Sequence, residues 1–190
     1  DLEYRDPLCE AFIKGAVEQG IPLNNDYNGE FQEGVSYVQR TTKGRFRVSA
    51  SKAFLKPVKS RENLDIITDA FVTKIIIENK TATGVEYLKG GVRGKKIILK
   101  ANKEVILSSG VIKSPHLLNL SGIGSGKHLK DIGIDVIHDL KGVGMNLRDH
   151  FAPRMTARAK NVETVNEKSR GFKLLKEIGK YILGKQSIVN

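Results

Sequence analysis

The sequence predicts a mixed α/β fold made of one or two compact units. Apolar residues recur at helical spacing near both ends of the chain, and β-branched residues cluster in short runs between residues 64 and 109. Glycine, asparagine and lysine turns separate these runs. With 190 residues, of which 39% are hydrophobic, the chain is long enough to bury a core and too apolar to be disordered.

The first sixty residues predict an amphipathic helix followed by an irregular segment. From Asp6 to Glu18 the apolar side chains fall on one helical face, with Pro7 near the start and Gly20 placed to end the helix. Asparagine, aspartate and glycine are frequent in residues 21–34, which indicates a structured loop. A short helix is expected in SASKAFLKP, residues 49–57.

Five runs rich in β-branched residues predict a β-rich section after Leu64. They are LDIIT (64–68), VTKIIIE (72–78), GVEYL (84–88), KKIILK (95–100) and EVILSS (104–109).

The pattern then changes to a glycine turn and a helix. We expect Ser114 to cap this helix, Pro115 to occupy its first position and Gly122 to end it. In open α/β sheets ligands lie beyond the carboxyl ends of strands, so Ser108, Ser109 and Gly110 are candidate cofactor contacts. The alternative is that Gly110 only makes the turn.

The last third predicts short elements and one clear helix. A helix in KHLKDI (127–132) should end at Gly133, and strands are expected in IDVIH (134–138) and PRMTARA (153–159). Between residues 172 and 182 apolar side chains recur at helical spacing, with lysines on the other face.

Charge and cysteine content limit the classes of function. The net charge is +11, yet the basic residues are mostly solitary and no aromatic stripe accompanies them, so we expect no nucleic-acid partner. Residues 154–190 hold nine Lys or Arg and three Glu, so their helix could touch an anionic membrane surface, although packing on its own domain is favoured. Since Cys9 is the single cysteine and no leader or membrane span is recognisable, a cytoplasmic location is expected.

The segment SGVIKSPHLLNLSGIG, residues 109–124, resembles the second signature of the glucose-methanol-choline (GMC) oxidoreductase family. Its Ser-Pro pair, its leucine pair and its closing Ser-Gly-Ile-Gly carry the match, and Val111 stands where the family usually has a smaller residue. Further similar segments occur in the family's order up to about residue 150. They are DYNG (26–29), RVSASKAFLKP (47–57), AFVTKI with GVEY (70–87) and GVGMNLRDH (142–150).

The resemblance implies part of a Rossmann-like FAD-binding domain and part of a substrate-binding domain. Residues 61–150 would belong to the FAD domain, 1–60 would form a linker on the substrate-domain side, and 151–190 would begin the substrate domain. It implies that the backbone of Val72 contacts the adenine end of FAD, and that Ser109 and Gly110 lie near the ADP part. Asn146, Asp149 and His150 correspond to a loop at the junction of the two domains.

The family's other functional motifs are not recognisable in the sequence. No strand followed by GxGxxG is present, and none of the four histidines matches the family's catalytic histidine motif, so no catalytic residue is assigned. The histidines lack metal-ligand spacing, and no metal is expected. Because Asp1 is not Met, we expect an internal piece of a longer protein. Because both of the family's terminal motifs are missing, we expect this piece to be inactive alone.

The resemblance implies that the parent protein is an FAD-dependent alcohol or choline dehydrogenase that transfers hydride to flavin. Its small-molecule substrate would be an alcohol, and the electron acceptor stays open between oxygen, a quinone and another carrier. The alternative is a small basic α/β module that binds nucleic acid or acidic lipid without catalysis.

Overall fold

The computed structural model describes residues 4–44, 46–153 and 155–189. These residues form a mixed α/β fold, as the sequence predicts, with short helices and short or medium strands. In chain order the labelled elements are α1 (Pro7–Glu18), β1 (Thr42–Lys43), β2 (Phe46–Arg47), β3 (Ala70–Glu78), β4 (Thr81–Lys89), β5 (Lys95–Lys100), α2 (Gly110–Leu120), β6 (Ile123–Gly124), α3 (Gly126–Asp131), β7 (His138–Asp139), α4 (Val165–Lys168) and α5 (Gly171–Ile182). A π-helical turn (Ser51–Leu55) and a 3₁₀ turn (Lys56–Val58) lie between β2 and β3 and confirm the short helix predicted there.

The chain divides into two compact units. One consists of residues 1–61 and 154–190, and the other of residues 62–153. Assignment of these parts to a cofactor domain and a substrate domain stays a prediction.

The unit of residues 62–153 is built on a three-stranded antiparallel sheet with the order β3-β4-β5. Asn79 and Lys80, both with positive φ, form the two-residue turn that joins β3 to β4. Strands were therefore correctly predicted in VTKIIIE, GVEYL and KKIILK. α2 packs on β3, and the apolar core of the described residues lies in this unit, at Ile75, Tyr87, Leu117 and Leu129.

The start of α2 differs from the prediction. The helix begins at Gly110, five residues before Pro115, and Pro115 lies inside it. Gly110 has a φ of +83°, which turns the chain into the helix, and the Ser114 hydroxyl accepts a hydrogen bond from the Ser109 N–H at 3.1 Å. The Ser114 side chain therefore binds the residue that precedes the helix. It does not cap a helix that begins at Pro115, as the sequence predicted.

Several predicted strands do not form because they lack a hydrogen-bonding neighbour. Residues 64–68 and 104–108 are irregular and pair with no other strand among the described residues. Of IDVIH only His138 joins a strand, in the two-residue parallel pair of β7 with β6. Residues 155–159 contain no strand, and Arg154 lies outside the described residues. A β-branched run favours a strand only where another strand can pair with it.

The other unit contains the amphipathic helices predicted near both ends of the chain. Asp6 caps α1 by accepting a hydrogen bond from the Leu8 N–H at 3.0 Å, and Pro7 is the first helical residue. The same carboxylate accepts a hydrogen bond from the Tyr4 hydroxyl and lies 4.0 Å from the ammonium group of Lys168 on α4. These contacts join the two sequence segments that make up this unit.

The asparagine-rich segment after α1 is a loop ordered by its own side chains. Asn24 donates to the carbonyl oxygens of Phe31 and Glu33, and its side-chain oxygen accepts from the Asp26 N–H. Asn28 donates to the side chain of Gln39 at 2.8 Å. The predicted structured loop is confirmed.

Candidate functional site

Ser109 and Gly110 form the entrance to α2. Gly110 is exposed, and a Cβ atom at this position would meet no atom within 4 Å. The first amide N–H groups of an α-helix have no intrahelical acceptor, and the first turn of α2 contains no acidic side chain. This end of the helix can therefore accept a polar or anionic group close to the backbone.

Val72 lies on β3, the strand at one edge of the three-stranded sheet. The residue is 37% exposed and stands opposite Tyr87 on β4. The register between β3 and β4 shifts between Val72 and Lys74, so the backbone is irregular directly beside Val72. An edge strand offers backbone N–H and C=O groups that no further strand occupies, as a backbone contact with a ligand requires.

A polar chain fixes the irregular register beside Val72. The Thr73 hydroxyl donates a hydrogen bond to the Glu86 carboxylate at 2.7 Å, and Lys96 on β5 donates to the same carboxylate at 2.9 Å. The hydrogen bonds from Lys96 and Thr73 hold the pKa of Glu86 below its ordinary value. The three strands are thus tied together next to the candidate contact.

Ser121 joins β3 to the end of α2. Its side chain is fully buried, accepts a hydrogen bond from the Ile75 N–H at 2.8 Å and donates one to the Leu117 carbonyl at 2.7 Å. Sequence analysis included Ser121 only in a family signature and missed this role. The available signal was a serine directly after the apolar helix LLNL, where a polar side chain needs a partner.

Part of the GVGMNLRDH segment meets α2 across a cleft of about 420 Å³. Asn146 lines the cleft in a left-handed conformation, with a φ of +58°. The lining consists of Val111, Ile112, Pro115, His116 and Asn119 on α2 and residues 144–148 of the loop. Asp149 and His150 are exposed and lie outside this lining, as does Val72.

Two of the three predicted FAD contacts are adjacent, and the third is separate from them. Ser109 and Gly110 are neighbours at the start of α2, whereas Val72 is on β3. The hydrogen bonds of the described residues join neither Ser109 nor Gly110 to Val72 directly. The polar link between their two elements passes through Ser121.

Neither a metal-binding cluster nor a membrane-spanning helix occurs among the described residues. No group of three or more His, Cys, Asp or Glu side chains could hold a metal ion there. The longest helices of the described ranges have 12 residues, and none is long and apolar enough to cross a bilayer.

Comparison with known proteins identifies relatives over most of the chain. The sequence profile of GMC oxidoreductases matches residues 1–152. An oxygen-dependent choline dehydrogenase of Sinorhizobium fredii is 47% identical over 147 residues, which are 77% of this chain and 26% of the relative. An alcohol dehydrogenase [acceptor] of Pseudomonas putida is 43% identical over 151 residues, which are 80% of this chain and 27% of the relative.

Solved structures of oxidoreductases also align with nearly the whole chain. An FAD-dependent oxidoreductase from Chaetomium thermophilum aligns with 99% of this chain at a TM-score of 0.85 and 28% identity, and the alignment covers 33% of that chain. A formate oxidase variant of Aspergillus oryzae aligns with 100% of this chain at a TM-score of 0.71 and 28% identity, covering 32% of that chain. The present chain therefore spans about a quarter of these curated relatives and a third of these solved chains.

Proposed function

This chain belongs to the GMC oxidoreductase family, and we propose that the protein containing it oxidises the CH–OH group of an alcohol by hydride transfer to FAD. The observation that carries the proposal is the family match over residues 1–152, together with relatives named as choline and alcohol dehydrogenases. The match supports an oxidoreductase over the alternative of a basic module that binds nucleic acid or lipid.

The residues at the candidate site fit the ADP part of FAD. Gly110 is open to solvent at the N-terminus of an 11-residue helix, so the phosphates could approach the backbone without meeting a side chain. Val72 lies on an edge strand, where its backbone could bond to the adenine. We propose Val72, Ser109 and Gly110 as cofactor contacts on these grounds.

FAD supplies the hydride acceptor when it is bound, and the residues of this chain supply placement. Backbone groups at Gly110 and Val72 would hold the ADP part at two separate points. The polar chain of Thr73, Glu86 and Lys96 keeps the irregular strand beside Val72 in place. No side chain of the described residues is proposed to take the proton of the alcohol.

Residues 61–150 are proposed to form part of the FAD domain, and residues 151–190 to begin the substrate domain. The family match ends at residue 152, which lies next to the proposed start of the substrate domain at residue 151. Residues 1–60 are proposed as a linker on the substrate-domain side.

Choline is the first substrate to test, and other primary alcohols are the second. The relatives are named as an oxygen-dependent choline dehydrogenase and an alcohol dehydrogenase [acceptor], and these names motivate both substrate classes. We leave the electron acceptor open between oxygen, a quinone and another carrier. Anaerobic mixing of the purified full-length flavoprotein with each alcohol tests the proposal. Bleaching of the oxidised flavin band by one of them supports the proposal, and no bleaching by any alcohol contradicts it.

A cytoplasmic location with peripheral membrane contact through α5 is a further part of the proposal. Phe172, Leu175 and Ile182 are 90%, 61% and 71% exposed and share one face of this helix, while lysines occupy neighbouring positions. Sedimentation of the full-length protein with anionic vesicles, but not with neutral ones, would support the contact. Absence of sedimentation with either would reject it.

A further inference from the structure

Ser121 occupies an unusual position between the sheet and the helix of its unit. Its side chain is 0% exposed, and its hydroxyl both accepts and donates a hydrogen bond. The donor to it is the N–H of Ile75, a residue in the middle of β3 that is itself 4% exposed. A buried backbone N–H without an acceptor is strongly unfavourable, so this hydroxyl satisfies a group that water cannot reach.

The hydrogen bond from the Ile75 N–H to the Ser121 hydroxyl connects β3 to the C-terminal end of α2. Ile75 is three residues from Val72 on the same strand, and Ser121 directly follows the helix that begins at Gly110. Ile75 and Leu117, which the hydroxyl bridges, both belong to the buried apolar core. Apolar packing alone leaves the helix free to slide along the strand, because it has no preferred direction. The hydrogen bond through Ser121 is directional and thus sets the position of the helix along the strand.

We propose that Ser121 is a positioning residue for FAD. It fixes the separation between the adenine contact on β3 and the contacts at the start of α2. This proposal rests on the proposed function, since it takes Val72, Ser109 and Gly110 as the points that hold the ADP part. The two sets of contacts act on one ligand, and a ligand held at two points loses affinity when their separation no longer matches its bound conformation.

Removing the hydroxyl would free the helix to shift along the strand. In Ser121→Ala the Ile75 N–H loses its acceptor, whereas the Leu117 carbonyl keeps the hydrogen bond from the Ser121 backbone N–H at 3.1 Å. The loss therefore falls on the link between β3 and α2 and not on the end of the helix itself. We expect FAD to dissociate more readily although neither Val72 nor Gly110 is changed.

Ser187 provides a matched control in the other unit. It is also 0% exposed, its hydroxyl donates to the Glu177 carbonyl at 2.8 Å, and it accepts from the Val189 N–H at 3.2 Å. Ser187→Ala removes the same chemical group from an equally buried position. It touches no element that carries a proposed FAD contact.

The experiment measures the dissociation constant of FAD for the full-length protein, from the flavin fluorescence that is recovered on release. We expect Ser121→Ala to weaken binding at least about fivefold and Ser187→Ala to change it less than about twofold. Ser121→Cys should weaken binding less than Ser121→Ala does, because its thiol remains a weak acceptor. Hydrogen exchange at the Ile75 amide should increase most in Ser121→Ala, less in Ser121→Cys and not at all in Ser187→Ala. The Cys variant keeps the test decisive if the Ala variant fails to fold.

The outcomes separate the two proposals. If the unchanged protein binds no FAD, the proposed function fails. If it binds FAD and both Ser121 variants bind it with unchanged affinity, or if Ser187→Ala weakens binding as much as Ser121→Ala does, the positioning role of Ser121 is overturned.

Discussion

At Gly122 the structure predicts a large effect of a single added methyl group. This glycine follows α2 with a φ of +78°, in the left-handed region that L-residues with a Cβ rarely adopt. A Cβ here would lie 2.5 Å from the carbonyl oxygen of Asp135 and 2.9 Å from the Cγ1 atom of Ile137. The first of these is backbone and cannot rotate away.

The magnitude for Gly122→Ala combines two effects. The left-handed conformation costs about 1–2 kcal/mol for an alanine. Displacing the backbone around Asp135 adds about 1–3 kcal/mol, typical of an overpacked site. We therefore expect the free energy of local opening to fall by about 2–5 kcal/mol.

Gly133 separates the two effects. Its φ is +75°, nearly that of Gly122, but a Cβ at this position would meet no atom within 4 Å. Gly133→Ala should therefore lower stability only by the conformational part, about 1–2 kcal/mol. The difference between the two variants measures the steric part.

Native-state hydrogen exchange of the full-length protein is the assay. The amides of Ile137 and His138 both donate to the Gly122 carbonyl, at 2.9 and 3.1 Å, and report directly on this junction of β6 and β7. Protection of these amides should fall further in Gly122→Ala than in Gly133→Ala. Equal losses in the two variants would refute the steric reasoning.

Three further predictions concern the unit of residues 1–61 and 154–190. Thr164 caps α4 in a reciprocal arrangement with Glu167, so Thr164→Ala should lower the local stability of α4 by about 1 kcal/mol, measured by amide exchange at Glu167; unchanged protection would contradict the cap. Lys168→Met removes the cation beside the buried carboxylate of Asp6 and should lower the free energy of unfolding in urea by about 1–3 kcal/mol. As a control, Lys176→Met at an exposed position should change this free energy by less than about 0.5 kcal/mol. Equal effects of the two substitutions would contradict the role of Lys168. The hydrogen bond from Lys180, together with that from the Ile188 N–H, holds the pKa of Glu177 below its ordinary value. The ionised Glu177 side chain therefore stabilises the folded protein fully above about pH 4.3, the pKa in the unfolded chain. This stabilisation is lost as the pH falls through the lower pKa of the folded state. Glu177→Gln should flatten the loss of stability over that acidic range, and an unchanged acid transition would show that Glu177 does not contribute to it.

Local signals allowed several elements to be predicted from the sequence. α1 has its cap and its proline at the start, and α5 has apolar side chains at helical spacing. The strands β3, β4 and β5 follow one another through short turns, so each finds its partner nearby in the chain. In these cases the residues that decide the structure are neighbours in sequence.

The errors arose where structure depends on a distant partner or on one glycine. LDIIT and EVILSS have strong β-branched character, but pairing depends on a neighbouring strand that composition does not reveal. The helix start was placed at Pro115 because proline favours a first position, whereas the positive φ of Gly110 begins the helix earlier.

The candidate site was predictable only in part. The family was recognised from its ordered motifs, and the match over residues 1–152 confirms it. The link through Ser121 could not be predicted, because nothing in the sequence shows that this hydroxyl meets the Ile75 amide, 46 residues earlier in the chain.

We propose that the protein containing this chain is an FAD-dependent enzyme that oxidises alcohols. The most direct test is the visible absorption spectrum of the purified full-length protein, recorded anaerobically before and after addition of choline and then of other primary alcohols. We expect an oxidised flavin spectrum that is bleached by at least one alcohol and restored by an electron acceptor. A protein without bound flavin that also fails to take up added FAD would contradict it.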